Sequence, residues 1–137
     1  MGFEHFHRRA FVNYQLNRAH ALGFADRNEL YDAAARVKST DDCVAVFEAL
    51  SSRAVADGRA KHATSYLRLA EFFTPPRSAA KVERYCRYRD PFDVAFAGEG
   101  MVRHEVPYAG AALPAFHCQP LGSLRKARCW CMAGSTR

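Results

Sequence analysis

The hydrophobic pattern of the chain changes period near residue 100, and this change limits the folds that the chain can adopt. Before that point apolar residues recur at helical spacing, and after it they follow the spacing of short strands. The pattern predicts about five helices, over residues 6–22, 26–37, 39–58, 60–73 and 78–96, and then a β-hairpin over residues 101–108 and 111–118. We therefore expect a mainly α fold with a helical region at 1–100, a hairpin at 101–122 and a tail at 123–137.

Local signals indicate where several of these elements begin and end. Asp26 and Glu29 have the spacing of a capping box, in which two side chains satisfy backbone N–H groups reciprocally. Ser39 precedes two first-turn acids, and Gly58 is suited to a left-handed helix end. Pro91 lies inside the fifth helical pattern and predicts a kink or a break there.

The first helical pattern has an apolar stripe. Phe6, Phe11, Tyr14 and Leu22 fall close to helical spacing, which predicts that they face the core. In the hairpin, Pro114 lacks a backbone N–H and predicts an edge position for its strand.

The cysteine count argues against a disulfide framework. The number is odd, and no N-terminal apolar segment of a signal peptide is present, so we expect reduced thiols and a cytoplasmic protein. No apolar stretch is long enough for a transmembrane helix, and no membrane partner is expected. Cys43 and Cys86 lie within helical apolar patterns, so they are interpreted as buried small hydrophobes and not as nucleophiles.

The net charge of +6 raises the possibility of an acidic or nucleic-acid partner. Much of the excess lies near the C-terminus, in Arg125, Lys126, Arg128 and Arg137. Elsewhere the charges alternate in sign along the helices, as on solvated helix faces. Nucleic acid is therefore not favoured as a partner.

Two groups of side chains resemble metal sites only in part. His117 and Cys118 with Cys129 and Cys131 supply zinc-ligand types, but the C-x-C spacing is tighter than the usual one. The pair at positions 5 and 7 would not share a helix face. No metal and no other cofactor is predicted.

Three segments carry a resemblance to a known family: FVNYQLNR at 11–18, AEFF at 70–73 and VPYAGAALPA at 106–115. The region from about 6 to 126 resembles the N-terminal part of α/β-hydrolases that have a helical cap ahead of the catalytic core. That branch includes proteins similar to 2,6-dihydroxypseudooxynicotine hydrolase, to FrsA and to acylaminoacyl-peptidases. The resemblance implies a helical cap followed by the first hairpin of the hydrolase sheet.

The resemblance also implies a chemistry for the intact relatives. They hydrolyse ester, amide or carbon–carbon bonds next to a carbonyl in small molecules, with a Ser nucleophile in a G-x-S-x-G elbow and with Asp and His later in the chain. No G-x-S-x-G occurs in this sequence. No catalytic residue is therefore assigned, and the chain is expected to be an inactive fragment of such a hydrolase. Neither its substrate nor its oligomeric state follows from the sequence.

Four polar residues of the first helix are candidates for a substrate cleft: Asn13, Tyr14, Gln15 and Arg18. The resemblance implies that this cap helix covers the cleft. The alternative is that these side chains form hydrogen bonds within the cap, as buried polar groups usually do.

The tail departs from the family pattern, in which a buried apolar strand is due. Its composition predicts no strand. A shifted reading frame joins the third base of each codon to the first two bases of the next codon. In this frame the codons of residues 129–133 can encode only Leu-Val-[His/Tyr]-Gly. That sequence fits an apolar strand that leads into an oxyanion-hole turn. We therefore hypothesise a single-base deletion near the Lys126–Ala127 junction. The alternative is a self-contained basic helical module that binds nucleic acid or an acidic protein.

Overall fold

A computed structural model describes residues 2–118 and 129–132. The described residues up to Ala95 form one compact unit, and those from Phe96 onward form a second. The protein is mainly helical, with a small antiparallel sheet after the helices. This confirms the predicted fold class and the predicted order of the elements.

The first unit contains five helices: α1 Ala10–Ala21, α2 Arg27–Arg36, α3 Thr40–Ala56, α4 Ala60–Phe73 and α5 Ala79–Ala95. The most extensive helix–helix contact is between α3 and α4, and α5 packs on α4. The largest side chains with almost no exposed surface are Tyr66, Phe47, Leu16, Leu30 and Cys43. The core therefore receives a large side chain from each of the first four helices.

The capping signals of α3 are confirmed. Ser39 Oγ accepts a hydrogen bond from the backbone N–H of Asp42 at 3.1 Å, and Asp42 Oδ2 accepts one from the backbone N–H of Ser39 at 2.7 Å. At the other end Gly58 has a φ of 70°, which lets the chain leave the helix without steric cost. The short connection that follows leads directly into α4, whose predicted bounds are also confirmed.

Helix α1 begins at Ala10, later than the pattern predicts. The preceding segment does not continue the helix because its backbone binds to side chains of α1. Asn17 Oδ1 accepts a hydrogen bond from the backbone N–H of Glu4 at 2.7 Å, and Asn13 Oδ1 accepts one from that of His7 at 3.0 Å. These bonds hold the segment against α1, and Phe6 is buried as a result.

Helix α5 continues through Pro91 to Ala95, so of the predicted kink or break the break does not occur. Pro91 has no backbone N–H, so it cannot donate the hydrogen bond that other residues at this position make to the carbonyl one turn earlier. The exposed side of α5 includes Cys86, and the prediction that this thiol is buried was wrong. An irregular turn follows, with Gly98 at a φ of 83°.

The second unit contains the strands β1 Met101–Tyr108, β2 Ala111–Cys118 and β3 Cys129–Met132, in the order β1-β2-β3. The bounds predicted for the first two strands are confirmed. Ala109 and Gly110 join them in a two-residue turn with φ values of 46° and 78°. Positive φ at both turn residues is the geometry whose twist matches that of paired strands.

The two prolines of the hairpin occupy positions that do not interrupt its ladder. Pro107 faces Ala112, and Pro114 faces Glu105. Counted from the turn, both pairs fall between the hydrogen-bonded pairs, so the nitrogen of each proline points away from the other strand of the hairpin. The prediction that Pro114 places its strand at an edge was wrong, because β2 lies between β1 and β3. Pro114 is compatible with this middle position because the β3 pairing begins at Ala115.

The strand at Cys129–Met132 was not predicted. It pairs antiparallel with residues 115–118 of β2. The backbone pairing with β2 therefore forms a strand from a segment whose sequence has no strand pattern. The remaining tail positions, 119–128 and 133–137, lie outside the described residues, and so does the proposed frame junction. For the residues that the structure describes, none of the helices offers the length of apolar sequence that a bilayer crossing requires.

Candidate functional site

The four predicted cleft residues do not share one face of α1. Asn13 and Gln15 are buried, whereas Tyr14 and Arg18 are exposed. Only Tyr14 and Arg18 are therefore placed where a ligand or partner reaches them from solvent.

The buried amides of α1 have a structural role. Asn13 Nδ2 and Asn17 Nδ2 both donate to the backbone carbonyl of Glu4, at 3.1 and 2.8 Å. Asn17 Nδ2 also donates to the backbone carbonyl of Asn13 at 2.9 Å. Each side-chain amide has two N–H donors and an oxygen acceptor. Two asparagines can therefore bind backbone N–H and carbonyl groups of a segment that has no helix or sheet partner. The role of Asn13 in the structure is thus to bind the N-terminal segment.

Helix α1 buries its aliphatic residues Val12 and Leu16 but leaves large apolar residues on another side exposed. Phe11, Tyr14 and Leu22 are 61%, 57% and 63% exposed, while the neighbouring asparagines are buried. The prediction that these three residues face the core was wrong. The N-terminal segment binds the side of the helix that carries the asparagines, and the aromatic side faces solvent. Large apolar residues that cluster in solvent often mark an interaction site.

The exposed side of α1 continues onto α4. The ring centroid of Phe11 lies 5.8 Å from that of Phe72 and 6.1 Å from that of the buried Phe73. The guanidinium of Arg68 lies over the Phe72 ring, 5.9 Å from its centroid. We call this surface the aromatic face, and its members are Phe11, Tyr14, Arg18, Leu22, Arg68 and Phe72.

A buried carboxylate lies beside the aromatic face. Glu71 is 5% exposed and forms ion pairs with two cations, Arg68 and Lys81. Lys81 Nζ is 2.8 Å from Glu71 Oε1 and also donates to the Glu71 backbone carbonyl at 2.7 Å. Burial lowers the pKa of Lys81, and the charge of Arg68 lowers it further. One carboxylate thus compensates two cations, which leaves a positive charge in excess.

Arg68 experiences a second positive charge from α1. Burial lowers the pKa of Arg68, and Arg18 is one of the charges that lower it further. Its guanidinium also lies 5.8 Å from the ring centroid of Tyr88, whose pKa is raised by burial, so that this phenol stays neutral. The negative charge of Asp93, on the same helix as Tyr88, also raises the pKa of Tyr88. The α5 side of Arg68 therefore has a negative charge nearby. The positive excess is therefore on the α1 side, between Arg18 and Arg68.

The two thiols whose side chains the structure describes do not form a nucleophilic site. Cys43 is fully buried, and burial raises the pKa of its thiol to about 11. A thiol with this pKa is protonated at neutral pH and inert as a nucleophile. Cys86 is a free, exposed cysteine on α5.

Metal-ligand clusters are also absent from the part of the chain that the structure describes, where no three His, Cys, Asp or Glu side chains are suitably grouped. The zinc alternative is not tested, because the side chains of Cys118, Cys129 and Cys131 are not among those described. On the sheet, the rings of His104 and His117 lie 6.2 Å apart between centroids.

Sequence reasoning identified two members of the aromatic face, Tyr14 and Arg18, as site candidates. It placed Phe11 in the core and did not single out Arg68. The signal for Arg68 was available, since Arg68 and Glu71 have the i,i+3 spacing of a helical ion pair. No sequence signal indicated that Phe11 is exposed, because its helical spacing fits a buried stripe equally well.

Comparison with models of known protein families gives no match for this chain, and comparison with curated proteins gives none either.

Proposed function

We propose that this chain is the helical cap and first hairpin of an α/β-hydrolase and that it has no catalytic activity by itself. The observation that carries the proposal is the hairpin. The segment VPYAGAALPA, the most specific piece of the resemblance, folds as two strands joined by a two-residue turn, directly after the helical unit. This is the order of elements that the resemblance implies.

The proposed lack of activity is supported by the chemistry of the side chains. A Ser-dependent hydrolase needs an activated hydroxyl, a base within hydrogen-bonding reach and donors for the oxyanion. The sequence has no G-x-S-x-G. Three buried serine and threonine residues instead donate their hydroxyls to backbone carbonyls: Ser51 Oγ to that of Ala63 at 2.9 Å, Thr64 Oγ1 to that of Ala60 at 2.9 Å and Thr74 Oγ1 to that of Ala70 at 2.8 Å. These hydroxyls complete the packing of helices and are not available as nucleophiles.

We further propose that the protein works in the cytoplasm. Cys43 and Cys86 are both free thiols, which suits a reducing compartment. In the intact relative, a small molecule would be the substrate.

The gene sequence tests the hydrolase proposal directly. We expect the alternative frame downstream of the Lys126 codon to encode a continuing hydrolase with a G-x-S-x-G. A true stop with no hydrolase sequence beyond it would contradict the proposal.

A labelling experiment tests the same proposal at the protein level. The 137-residue chain and the product of a gene with one base restored after the Lys126 codon are each treated with a fluorophosphonate probe. We expect label only on the restored product, and none when the serine of its nucleophile elbow is replaced by alanine. Label on the 137-residue chain itself would show that a nucleophile is already present and would refute the proposed lack of activity.

A further inference from the structure

We infer that the aromatic face is a docking surface for an acidic polypeptide segment, whose apolar side chains pack on the exposed rings while a carboxylate binds Arg18 and Arg68. This inference goes beyond the proposed function and does not depend on it, because every residue of the face lies in the first unit of the described chain.

The aromatic face is formed by α1 and α4 together. Phe11 contacts Phe72, so the start of α1 lies near the end of α4. Arg18 lies further along α1, and its charge lowers the pKa of Arg68, which lies earlier in α4. Two helices that run in opposite directions give this arrangement. The face is therefore a strip along α1 and α4 in which Arg68 lies over the Phe72 ring and Arg18 lies between Tyr14 and Leu22.

The aromatic face carries an excess of positive charge. Helix α1 contains no acidic residue, and within the described chain no carboxylate forms an ion pair with Arg18. The nearest acid of α4, Glu71, is buried and already bound by Arg68 and Lys81. Two neighbouring cations repel each other, and this repulsion is relieved when an anion binds between them. Charge complementarity therefore selects an acidic partner.

Neither a second copy of this chain nor a lipid surface fits the charges of the face. A second copy of this chain would bring like charges together, since the chain carries a net charge of +6. A lipid surface is disfavoured by the position of Arg18, which lies between Tyr14 and Leu22 within the apolar strip. Helices that lie on membranes keep their cations on the opposite polar face or at its margin. A cation in the middle of the strip is instead suited to a carboxylate from a polypeptide.

The experiment measures binding of two defined peptides to the intact 137-residue chain by fluorescence anisotropy. One is a synthetic helical peptide with Leu and Phe on one face and Glu on the other, and the second is identical except that Lys replaces every Glu. We expect the Glu peptide to bind at least about tenfold more tightly than the Lys peptide, with an affinity that falls as salt is added. Equal binding of the two peptides would overturn the inference.

Matched variants locate the binding surface. We expect Phe11→Ser and Arg18→Glu each to weaken binding of the Glu peptide by about tenfold or more. Val55→Ser and Arg36→Glu, which change exposed residues of α3 and α2, are the controls and leave binding unchanged. Circular dichroism checks that each variant remains folded. Tyr14→Ser is the second variant of the apolar strip, in case Phe11→Ser unfolds.

Two further outcomes would overturn the inference. One is self-association in sedimentation that Phe11→Ser abolishes, which would assign the face to a second copy. The other is binding to phosphatidylserine vesicles with no binding to the Glu peptide, which would assign it to a lipid surface.

Discussion

The hydroxyl of Tyr66 joins the N-terminus of α2 to the carboxylate of Glu29. It accepts a hydrogen bond from the backbone N–H of Asp26 at 3.0 Å and donates one to Glu29 Oε2. In a reciprocal capping box Glu29 itself would bind the Asp26 N–H. Because Tyr66 takes that role, the Glu29 carboxylate is free to bind Arg59 and Arg53 at 2.8 and 2.9 Å. The cap of α2 is therefore completed by α4.

Replacing Tyr66 with phenylalanine tests this arrangement. The variant keeps the ring but leaves the Asp26 N–H without its partner and removes one of the two hydrogen bonds to Glu29 Oε2, which keeps the one from Arg59. We expect the free energy of unfolding to fall by about 1–3 kcal/mol, because the Asp26 N–H is left unsatisfied and the Glu29 carboxylate loses a donor. Urea denaturation measures the change. Tyr14→Phe removes an exposed hydroxyl and serves as the control, with a change within about 0.5 kcal/mol.

The Glu29 cluster also predicts a pH dependence of stability. Hydrogen bonds from Arg59, and then from Tyr66 and Arg53, lower the pKa of Glu29 to about 2, against an opposing effect of burial. A carboxylate whose pKa is lower in the folded state stabilises the protein above its ordinary pKa. That stabilisation is lost as the pH falls from about 5 towards 2.

The isosteric variant Glu29→Gln isolates this contribution. At pH 7 we expect it to lower the free energy of unfolding by on the order of 2–3 kcal/mol relative to the wild type. The difference should shrink as the pH falls and be mostly lost by about pH 2, where the wild-type carboxyl is about half protonated in the folded state. Urea denaturation at a series of pH values measures it. A difference that stays constant from pH 7 to pH 2 would contradict the assignment.

The asparagine contacts of α1 predict what holds the N-terminal segment. Asn17→Ala removes the acceptor for the Glu4 N–H and a donor to the Glu4 carbonyl. We expect a loss of about 2–4 kcal/mol in the free energy of unfolding, since the Glu4 N–H loses its partner and the Glu4 carbonyl keeps only the bond from Asn13. Hydrogen exchange at the Glu4 amide should become faster. Asn28→Ala is the matched control, because Asn28 is exposed and only its backbone contributes to the cap; unchanged exchange in Asn17→Ala would disprove the assigned role.

The hairpin turn predicts a stabilising substitution. Ala109 has a φ of 46°, a left-handed conformation that alanine adopts at a steric cost and asparagine adopts more readily. Ala109→Asn creates an Asn-Gly turn and should stabilise the hairpin by about 0.5–1 kcal/mol. Slower hydrogen exchange across the Tyr108–Ala111 pair measures this effect. The same substitution at Ala112, in the adjacent strand, should have the opposite effect, because asparagine is a poor strand residue.

Much of the fold could be predicted because its signals are local. The Ser39 cap, the left-handed Gly58 and the Ala109–Gly110 turn each act through bonds or dihedral angles within a few residues. A sequence therefore shows them directly, and the bounds of α4, β1 and β2 followed from such signals. The same local patterns could not show which face of a helix is covered, because Phe11 fits a buried stripe and an exposed one equally well.

Contacts between distant segments decided the remaining features. The N-terminal segment covers the side of α1 that carries Asn13 and Asn17, and the aromatic side with Phe11 faces solvent. Tyr66 reaches a helix cap 40 residues earlier in the chain, and β3 forms where β2 supplies its hydrogen bonds. Each of these outcomes depends on which backbone groups lack a local partner and on which distant side chain or strand satisfies them. The residue order fixes the local geometry, but only the packed chain assigns those partners.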